Sequence, residues 1–434
     1  MKNQYLKRVC HNLQQDQVVT IVSILGTALS IFLIMIVVLM KGVQILPFSP
    51  ESNRNRILHG DCISYTNADN HDDSQNLSCG ILSEPTAKAL YTSLKTPEAV
   101  SIFQSSPEQT LISSYGTAPL SADLKQTDDS FWRIFDFNFL SGKAYNKSDF
   151  NSAQKKAVIS EQIARRLFGN INVVGRNITI NHSPYHICGV VREVSNLAES
   201  AYSQIWIPYS TTNIASDTWG AHELGGSFSV AILAYNKKDF PKIKAEFNTR
   251  SAAFNAKLKT ENIKIIDQEN PHTQFEKSIT PYSNGKPERG RFYRQGAFIL
   301  FILLLIPAIN LSSMTQSRLH RYMTEIGIRR AFGCHRSQIL NDIIIENLIL
   351  STIAGFVGLL LCLLFAYFGS DFIFTKNWIE DMGHPTISLS VLLNPILFLL
   401  AFLFCFVLNL ISSIIPAWQA SHVQIINAIN GKTH

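Results

Sequence analysis

Few residues in this chain have the types and spacing that chemistry requires. Gly431-Lys432-Thr433 resembles the end of a phosphate-binding loop, whose lysine and hydroxyl would hold a nucleotide phosphate and Mg²⁺. The full motif needs a glycine five places earlier, where Ile426 stands. His182 and His186 are four apart, but Pro184 lies between them in a strand-like turn, which is poor geometry for metal ligands. The sequence therefore predicts no metal site, no nucleotide site and no catalytic constellation in this chain.

The strongest local pattern is a short basic stretch, Thr324 to Leu340, with the sequence TEIGIRRAFGCHRSQIL. Its apolar residues recur at helical spacing, while Arg329 and Arg330 fall on the other side. Gly333 breaks the pattern, and a second short helix is expected to start near His335. Such a helix could lie on anionic lipid or dock a separate motor protein, and its residues alone favour neither interpretation.

Two carboxylates follow this stretch. Asp342 and Glu346 lie one helical turn apart where a long apolar run begins. Carboxylates close to lipid are costly, and they usually have a partner or a function. A proton relay is one interpretation. Pairing with arginines of the adjacent loop or of a partner subunit is the favoured one.

The elements that position these residues are mostly apolar runs. The chain has 434 residues, 46% hydrophobic and 16% charged, and its apolar residues are concentrated in a few stretches. This pattern is typical of a membrane protein that carries a soluble domain. The net charge of +6 is not gathered into a stripe, so no nucleic-acid partner is predicted.

Four runs are long enough for spanning helices, since about 20 apolar residues cross a bilayer. The first is too long for a cleavable signal peptide and lacks a small-residue cleavage site, so we expect it to be retained. The predicted organisation is a cytoplasmic N-terminus (1–17), helix 1 (18–40), a large external domain (41–294), helix 2 (296–316), a cytoplasmic loop (317–341), helix 3 (343–369), a short external loop (370–390), helix 4 (391–415) and a cytoplasmic tail (416–434).

The orientation follows from Lys and Arg in the short loops, which are enriched on the cytoplasmic side. The N-terminus carries three such residues and the 317–341 loop carries five, whereas the 370–390 loop has only Lys376. Both termini are therefore predicted to be cytoplasmic. Four basic residues just outside helix 2 run against this bias (Lys286, Arg289, Arg291 and Arg294), but long domains translocate largely regardless of charge.

The external segment is predicted to be a mixed α/β domain. Ser83 is expected to cap a helix through Leu94, and Ser160 a helix that stops at Gly169. Residues 241–258 form a further predicted helix, and the segment from 280 to 294 is expected to be a turn-rich linker. The predicted strands, rich in β-branched and aromatic residues, are 155–159, 177–180, 185–191, 204–207, 228–235 and 262–266.

Two smaller patterns concern thiols and helix packing. Cys62 and Cys79, in the external segment, could close a disulfide loop in an oxidising compartment or remain free thiols. Small residues four apart allow helices to approach closely, and this spacing weakly favours a dimer. It occurs in two spanning runs, at Gly26 and Ser30 and at Ser351 and Gly355.

Several segments together resemble the FtsX-like permeases of ABC transporters, in particular the MacB-type branch. EIGIRRAFG followed by IIIENLILSTIAGFVG resembles the family's coupling-helix signature, and AVISEQIARRLFG, VGRNITI, YHICGVV and IWIPY resemble its periplasmic core domain in order and spacing. The family usually has Leu-Gly-Ala where this chain has Phe332-Gly333-Cys334. The resemblance implies that the ATPase-docking coupling helix comprises Glu325, Ile326, Gly327, Arg329, Arg330, Ala331 and Gly333.

The implied fold is an α-helical membrane protein with four transmembrane helices and an extracytoplasmic α/β domain inserted between helices 1 and 2. The implied role is that of a non-catalytic permease subunit in the bacterial inner membrane. A separate ATPase would bind ATP and Mg²⁺, and its motion would reach the periplasmic domain and drive export. Partners would be that ATPase, a second permease copy or paralogue, membrane lipid, and for export a periplasmic adaptor and an outer-membrane channel. Lipoprotein extraction of the LolC/LolE kind and FtsX-like signalling to a periplasmic partner are the alternatives.

Overall fold

The computed structural model describes residues 17–68, 77–266, 268–280, 285–303, 332–333 and 335–368, and the single positions 396, 399, 403 and 407. These residues divide into two compact units. Of the described residues, the helical unit contains 17–42, 291–303, 332–333, 335–368 and the four single positions, and the α/β unit contains those between 43 and 290.

The α-helices of the described residues range from four residues to 33 residues in length. In chain order they are α1 (Gln17–Ile45), α2 (Glu84–Ala87, continued by a π turn over Lys88–Thr92), α3 (Phe131–Ile134), α4 (Lys147–Asn151), α5 (Glu161–Phe168), α6 (Phe240–Leu258), α7 (Gln274–Ile279), α8 (289–303) and α9 (Arg336–Phe368).

Among the described residues, two helices are long and apolar enough to cross a membrane. They are the Ile24–Ile45 part of α1 and the Leu348–Phe365 part of α9. They overlap the first and third predicted spans. The second predicted span is described only as far as residue 303, and of the fourth only four single positions are described.

The strands found in the described part of the chain all belong to the α/β unit. They are β1 (Ile57–Gly60), β2 (Cys62–Asn67), β3 (Ser78–Ile81), β4 (Ala99–Gln104), β5 (Glu108–Ser113), β6 (Leu120–Thr127), β7 (Phe139–Gly142), β8 (Lys156–Ser160), β9 (Asn177–Ile180), β10 (Ser183–Val191), β11 (Ile205–Pro208), β12 (Phe228–Leu233), β13 (Ile263–Ile266) and β14 (His272–Thr273).

Six of these strands form a closed ring in the order β11-β8-β10-β9-β5-β6, because β6 also pairs with β11. The β6–β11 pair is parallel, with Leu124 opposite Ile205, and the β8–β10 pair is parallel as well. Side chains from the ring strands fill its core together with Ile163 and Leu167 of α5. The ring is therefore a small barrel with a packed interior.

The sheet continues beyond the ring in the order β6-β4-β12-β1-β14, and a second sheet has the order β13-β2-β3. Helix α6 packs in the core that these two sheets share, through Ile243 and Phe247. The Asn255 side chain binds the backbone of Ile265 twice, accepting from its N–H at 2.7 Å and donating to its C=O at 3.0 Å. This covers backbone groups at one edge of the small sheet.

Local signals predicted several elements closely. Ser160 accepts a hydrogen bond from the Ile163 N–H, and α5 ends at Gly169, which has a φ of +74°. Ser83 caps α2 as expected, although the helical turns stop at Thr92 and not at Leu94. The segment expected to be a linker as far as residue 294 is already helical from residue 289, so α8 begins earlier than the predicted second span.

The helical unit has its own apolar core, contributed mainly by α1 and α9. A Cβ on Gly358 would lie 2.9 Å from the Ala28 carbonyl oxygen, so the two backbones approach closely there. Farther along both helices the rings of Phe32 and Phe365 meet with centroids 5.6 Å apart. The residue numbers of the two contacts increase along both helices, from Ala28 to Phe32 in α1 and from Gly358 to Phe365 in α9, so the two helices run parallel.

Helix α8 runs the opposite way. Lys41, near the end of α1, lies over the ring of Phe292 near the start of α8, 6.0 Å from its centroid. Leu303, eleven residues later, packs against the core built by Ala28 to Met35 of α1. Helix α8 is therefore antiparallel to α1.

Candidate functional site: two anchors in the α/β unit

The first feature of interest is the way in which α1 ends. The last carbonyls of a helix have no partner within it and must be satisfied otherwise. Here the Arg54 guanidinium supplies the donors, since its Nη1 lies 2.6 Å from the Val43 oxygen and 3.1 Å from the Leu46 oxygen. A side chain of the α/β unit thus holds the final turn of α1 and the residue after it, and this contact is the first of the two anchors.

Arg54 is itself held by Glu51 in a buried ion pair, which we call the clamp. Arg54 Nε donates to Glu51 Oε2 at 2.6 Å, and both side chains are only 2% exposed. The guanidinium also lies over the Phe48 ring, 4.1 Å from its centroid. Charge-assisted bonds of this length are about twice as strong as neutral ones, and a buried pair is costly to break from one side.

The clamp reaches a distant segment of the chain, residues 195–203, through backbone groups. Arg54 Nη2 donates to the Leu197 oxygen at 2.8 Å. Glu51 Oε1 accepts from the N–H groups of Ser200 and Ala201 at 2.9 and 3.0 Å. One buried pair therefore connects the end of α1 to a segment more than 150 positions farther along the chain.

Lys125, on strand β6, binds the same segment from the ring. Its Nζ donates to the oxygens of Glu199 and Ser200 at 3.2 and 2.8 Å and lies 5.6 Å from the Phe103 ring centroid. Its side chain is fully buried, and burial lowers its pKa to about 7. Ser200 is thus bound through its N–H by the clamp and through its C=O by the ring.

The second anchor is α7, which precedes the chain's return to the helical unit. Gln274 Nε2 donates to the Gln44 oxygen at 2.8 Å, so α7 also bonds to the end of α1. Lys277 forms an ion pair with Asp61 at 2.9 Å, which fixes α7 to the residue between β1 and β2. The two connecting segments are therefore bonded to each other inside the α/β unit.

The Glu276 carboxylate of α7 binds two cations and one backbone N–H. It pairs with Arg289 at 2.6 Å and with Lys244 at 3.2 Å, and it accepts the Thr273 N–H at 2.8 Å. Burial acts to raise the pKa of this carboxyl, but the Thr273 N–H and the two cations outweigh it and hold the pKa at about 2. Arg289 begins α8 and also binds Glu269, so the start of α8 is tied to α7 by charged contacts.

A buried histidine lies near this anchor. His59 of β1 is opposite His272 of β14, and both of its ring nitrogens are buried. Burial, and next the charge of Lys277, lower its pKa to about 3, against the smaller opposite effect of Asp61. His59 is therefore a neutral group that the fold protects from protonation.

Most of the coupling helix predicted from the sequence, Glu325 through Ala331, lies outside the described residues. Gly333 is described, and its φ of +93° is in the left-handed region that commonly follows a helix end. Phe332 beside it is 88% exposed. Helix α9 begins at Arg336, close to the predicted start near His335, and continues without a break into the third span.

The other predicted residues, two carboxylates and four small residues, lie in α1 and α9. Asp342 and Glu346 lie in the first turns of α9, and their ion pairing remains a prediction. Ser30 is buried and donates to the Gly26 oxygen at 2.9 Å, and Gly355 is buried in α9, which also contains Ser351. The close approach of α1 and α9 within one chain occurs at Gly358, which the spacing argument missed.

Cys62 and Cys79 occupy the neighbouring strands β2 and β3. Cys62 is opposite Ile81 and Cys79 is opposite Ser64, so the two cysteines are offset by two positions. Both thiols are free, with Cys62 buried and Cys79 exposed, and burial raises the pKa of Cys62 to about 12. A bridge between them remains a prediction.

Comparison with known sequences covers both units. Residues 20–250 match the sequence profile of the MacB-like periplasmic core domain, and residues 297–425 match that of the FtsX-like permease C-terminal region. The ABC transporter permease YknZ of Bacillus subtilis, described as uncharacterized, is 24% identical over 269 residues, which are 61% of this chain and 62% of YknZ. The macrolide export ATP-binding/permease protein MacB of Escherichia coli K12 is 22% identical over 331 residues, 74% of this chain and 45% of MacB.

This chain thus spans less than two thirds of the length of either relative. Among solved structures, the extracellular domain of YknZ aligns with 48% of this chain and 100% of that domain, at 14% identity and a TM-score of 0.33. The periplasmic region of MacB from Actinobacillus actinomycetemcomitans aligns with 48% of this chain and 88% of that region, at 16% identity and a TM-score of 0.32. The core-domain profile covers more than half of the chain, and the permease profile follows it in order. This protein therefore belongs to the MacB-like, FtsX-type family of ABC transporter permeases.

Proposed function

We propose that this permease transmits the motion of a separate ATPase across the membrane to its α/β unit, and so drives export of a periplasmic substrate. The observation that carries the proposal is the pair of anchors. Both segments that connect the α/β unit to membrane helices end in buried or charged contacts within that unit, through Arg54 for α1 and Glu276 for α8. Contacts of this kind are suited to passing on a displacement of the helix ends.

The membrane arrangement in this proposal has four spanning helices with both termini and the 317–341 loop in the cytoplasm. The directions of the described helices support it. Helices α1, α8 and α9 belong to the first, second and third predicted spans. Successive spans must cross the membrane in opposite directions, and α8 is antiparallel to α1 while α9 is parallel to it. The α/β unit is then external, and two such chains pair as a dimer.

The ATPase would dock on the coupling helix through Glu325, Ile326, Gly327, Arg329, Arg330, Ala331 and Gly333, and it would bind the ATP and Mg²⁺. Asp342 and Glu346 would pair with arginines of this region. Phe332 supports a docking role, because it is a large apolar side chain that is almost fully exposed beside the left-handed Gly333.

Purification of the tagged chain from native membranes, followed by mass spectrometry, tests the docking. We expect an ATPase to co-purify with the wild-type chain and to be lost from the Arg329→Glu/Arg330→Glu variant. The Arg318→Glu/Arg321→Glu variant is the matched control, since it makes the same charge change in the same loop. Retention of the ATPase by the first variant would refute the docking role.

A second experiment tests transmission. In the purified complex, ATP should change the hydrogen exchange of residues 195–203, and Arg54→Ala should abolish that change while ATP hydrolysis continues. An ATP response that persists in Arg54→Ala would show that motion takes another route. A co-purified adaptor would support export, whereas a lipoprotein carrier or a cell-wall enzyme would support extraction or signalling instead.

A further inference from the structure

Basic side chains gather at one end of α1 and α8 in the helical unit. Lys41 lies near the end of α1, and Arg291 and Arg294 lie near the start of α8. All three are exposed, and the sequence contains no Asp or Glu in residues 17–42 or 291–303. Neither segment contains an acidic residue, and the nearest one in sequence at this end is Glu288, three positions before Arg291.

Aromatic rings lie among these charges. The Lys41 ammonium is 6.0 Å from the Phe292 ring centroid, which brings the charged end of α1 beside that of α8. The Tyr293 ring is 63% exposed and contacts Phe292, with the centroids 5.7 Å apart. Exposed Tyr beside Lys and Arg is typical of the boundary between lipid headgroups and acyl chains.

The next turns of α8 are apolar and exposed. Phe298 is 65% exposed and Phe301 is 60% exposed. Phe298 comes one helical turn after Arg294, a rise of about 6 Å. The change from charge to exposed apolar surface is therefore abrupt, as it is where a helix enters the hydrocarbon region.

The enrichment of Lys and Arg on the cytoplasmic side of membrane proteins does not explain these three positive charges. Orientation is set by Lys and Arg on the cytoplasmic side, and the proposed topology puts this end of α1 and α8 outside. We propose that Lys41, Arg291 and Arg294, with Tyr293, bind the phosphate headgroups of anionic phospholipids in the outer leaflet. This inference rests on the membrane placement given under the proposed function.

The distribution of the charges favours a lipid surface over a soluble anion. Arg291 and Arg294 are three residues apart and share a side of α8, while Phe292, which meets Lys41, faces elsewhere. A small soluble anion would contact one or two of the three cations. A leaflet containing anionic lipid presents phosphates to all of them at once.

In the test, the full chain is reconstituted in nanodiscs of phosphatidylcholine with phosphatidylglycerol. The protein is then released from the nanodisc in a native mass spectrometer, and the lipids that stay bound to it are identified. We expect the wild-type chain to retain phosphatidylglycerol preferentially. The preference should fall roughly fivefold for each charge removed, and therefore fall strongly in Lys41→Gln/Arg294→Gln. The control Lys238→Gln/Lys257→Gln removes two exposed charges from the α/β unit and should leave the preference unchanged.

Two further arms keep the outcome clear. Lys41→Arg/Arg294→Lys keeps the charges and should keep the preference, and inorganic phosphate should not displace the lipid. Equal lipid retention by the wild-type chain and the neutral double variant would overturn the proposal, as would displacement by phosphate, which would indicate a soluble-anion site. Cysteine labelling of the α/β unit in intact cells tests the membrane placement separately, so a failure of lipid binding can be told apart from a failure of topology.

Discussion

Arg54→Ala is the most informative single substitution, because it removes every contact that joins the end of α1 to residues 195–203 through the clamp. It deletes the donors to Val43, Leu46 and Leu197 and leaves Glu51 buried without its cation. Removing one partner of a buried pair costs about 3–5 kcal/mol. Since about 1.4 kcal/mol is a factor of ten, opening of this region should become roughly 100-fold or more easier.

Hydrogen-exchange mass spectrometry of the full chain measures this effect locally. In Arg54→Ala, peptides covering 43–49 and 195–203 should both exchange faster, whereas peptides of the β-ring should change little. Arg56→Ala is the matched control. Arg56 is two residues away and about one-third exposed, and it donates to Glu98 at 3.4 Å, to Asn53 at 2.9 Å and to the Ala234 and Tyr235 oxygens. Because its loss leaves no buried charge unpaired, that control should cost about 1–2 kcal/mol, clearly less than Arg54→Ala.

A double-mutant cycle measures the coupling between Glu51 and Arg54. Glu51→Ala/Arg54→Ala should destabilise by clearly less than the sum of the single variants, because the second substitution removes the charge that the first left unpaired. The clamp would be refuted as a connection if Arg54→Ala matched Arg56→Ala, or if only one of the two peptides responded.

Three other predictions concern separate parts of the chain. The pKa of buried His59 is lowered to about 3, whereas an unfolded histidine has a pKa of about 6.5. As the pH falls below 6.5 the unfolded state therefore binds the proton first, and the free energy of unfolding should fall by about 2 kcal/mol between pH 6.5 and pH 5. Urea titrations should show a flatter pH dependence of stability for His59→Gln. Gly358→Val puts a Cβ 2.9 Å from the Ala28 oxygen and should destabilise the helical unit by about 1–3 kcal/mol, seen as a lower melting temperature in detergent, whereas Gly296→Val, where a Cβ meets nothing within 4 Å, should change it much less. Phe332→Ala should weaken ATPase binding at least several-fold in a titration while leaving thermal stability unchanged, since this side chain is 88% exposed; a drop in stability with unchanged binding would contradict the docking role.

The sequence predicted those elements that are set by neighbouring residues. Helix α5 begins and ends where Ser160 and Gly169 place its caps, and β9 has its predicted bounds. The caps act within a few residues, so one chain is enough to identify them. The alternation of polar residues with Ile178 and Ile180 in β9 is equally local.

Other features depend on distant partners and could not be predicted in this way. Strand β6 is not among the predicted strands and contains the polar residues Asp123, Lys125 and Gln126, yet all three are buried. Their hydrogen bonds reach residues that are 22 to 86 positions away. Glu51 and Arg54 likewise appear in the sequence as an ordinary polar pair after an apolar run. Their burial depends on residues 197–201, and the nearest sequence signal is a Glu and an Arg three apart between apolar segments.

The closed ring of strands determines how the α/β unit can respond to a pull. An open sheet can be peeled from its edge, one hydrogen bond after another, whereas a closed ring has no terminal strand from which peeling can start. Strand β11 begins four residues after Ala201, which the clamp holds, and it is bonded to β6 on one side and to β8 on the other. A force that arrives at Ala201 is therefore shared between two ladders loaded in parallel, and the barrel should turn or shift as one stiff body before any of its strands separates.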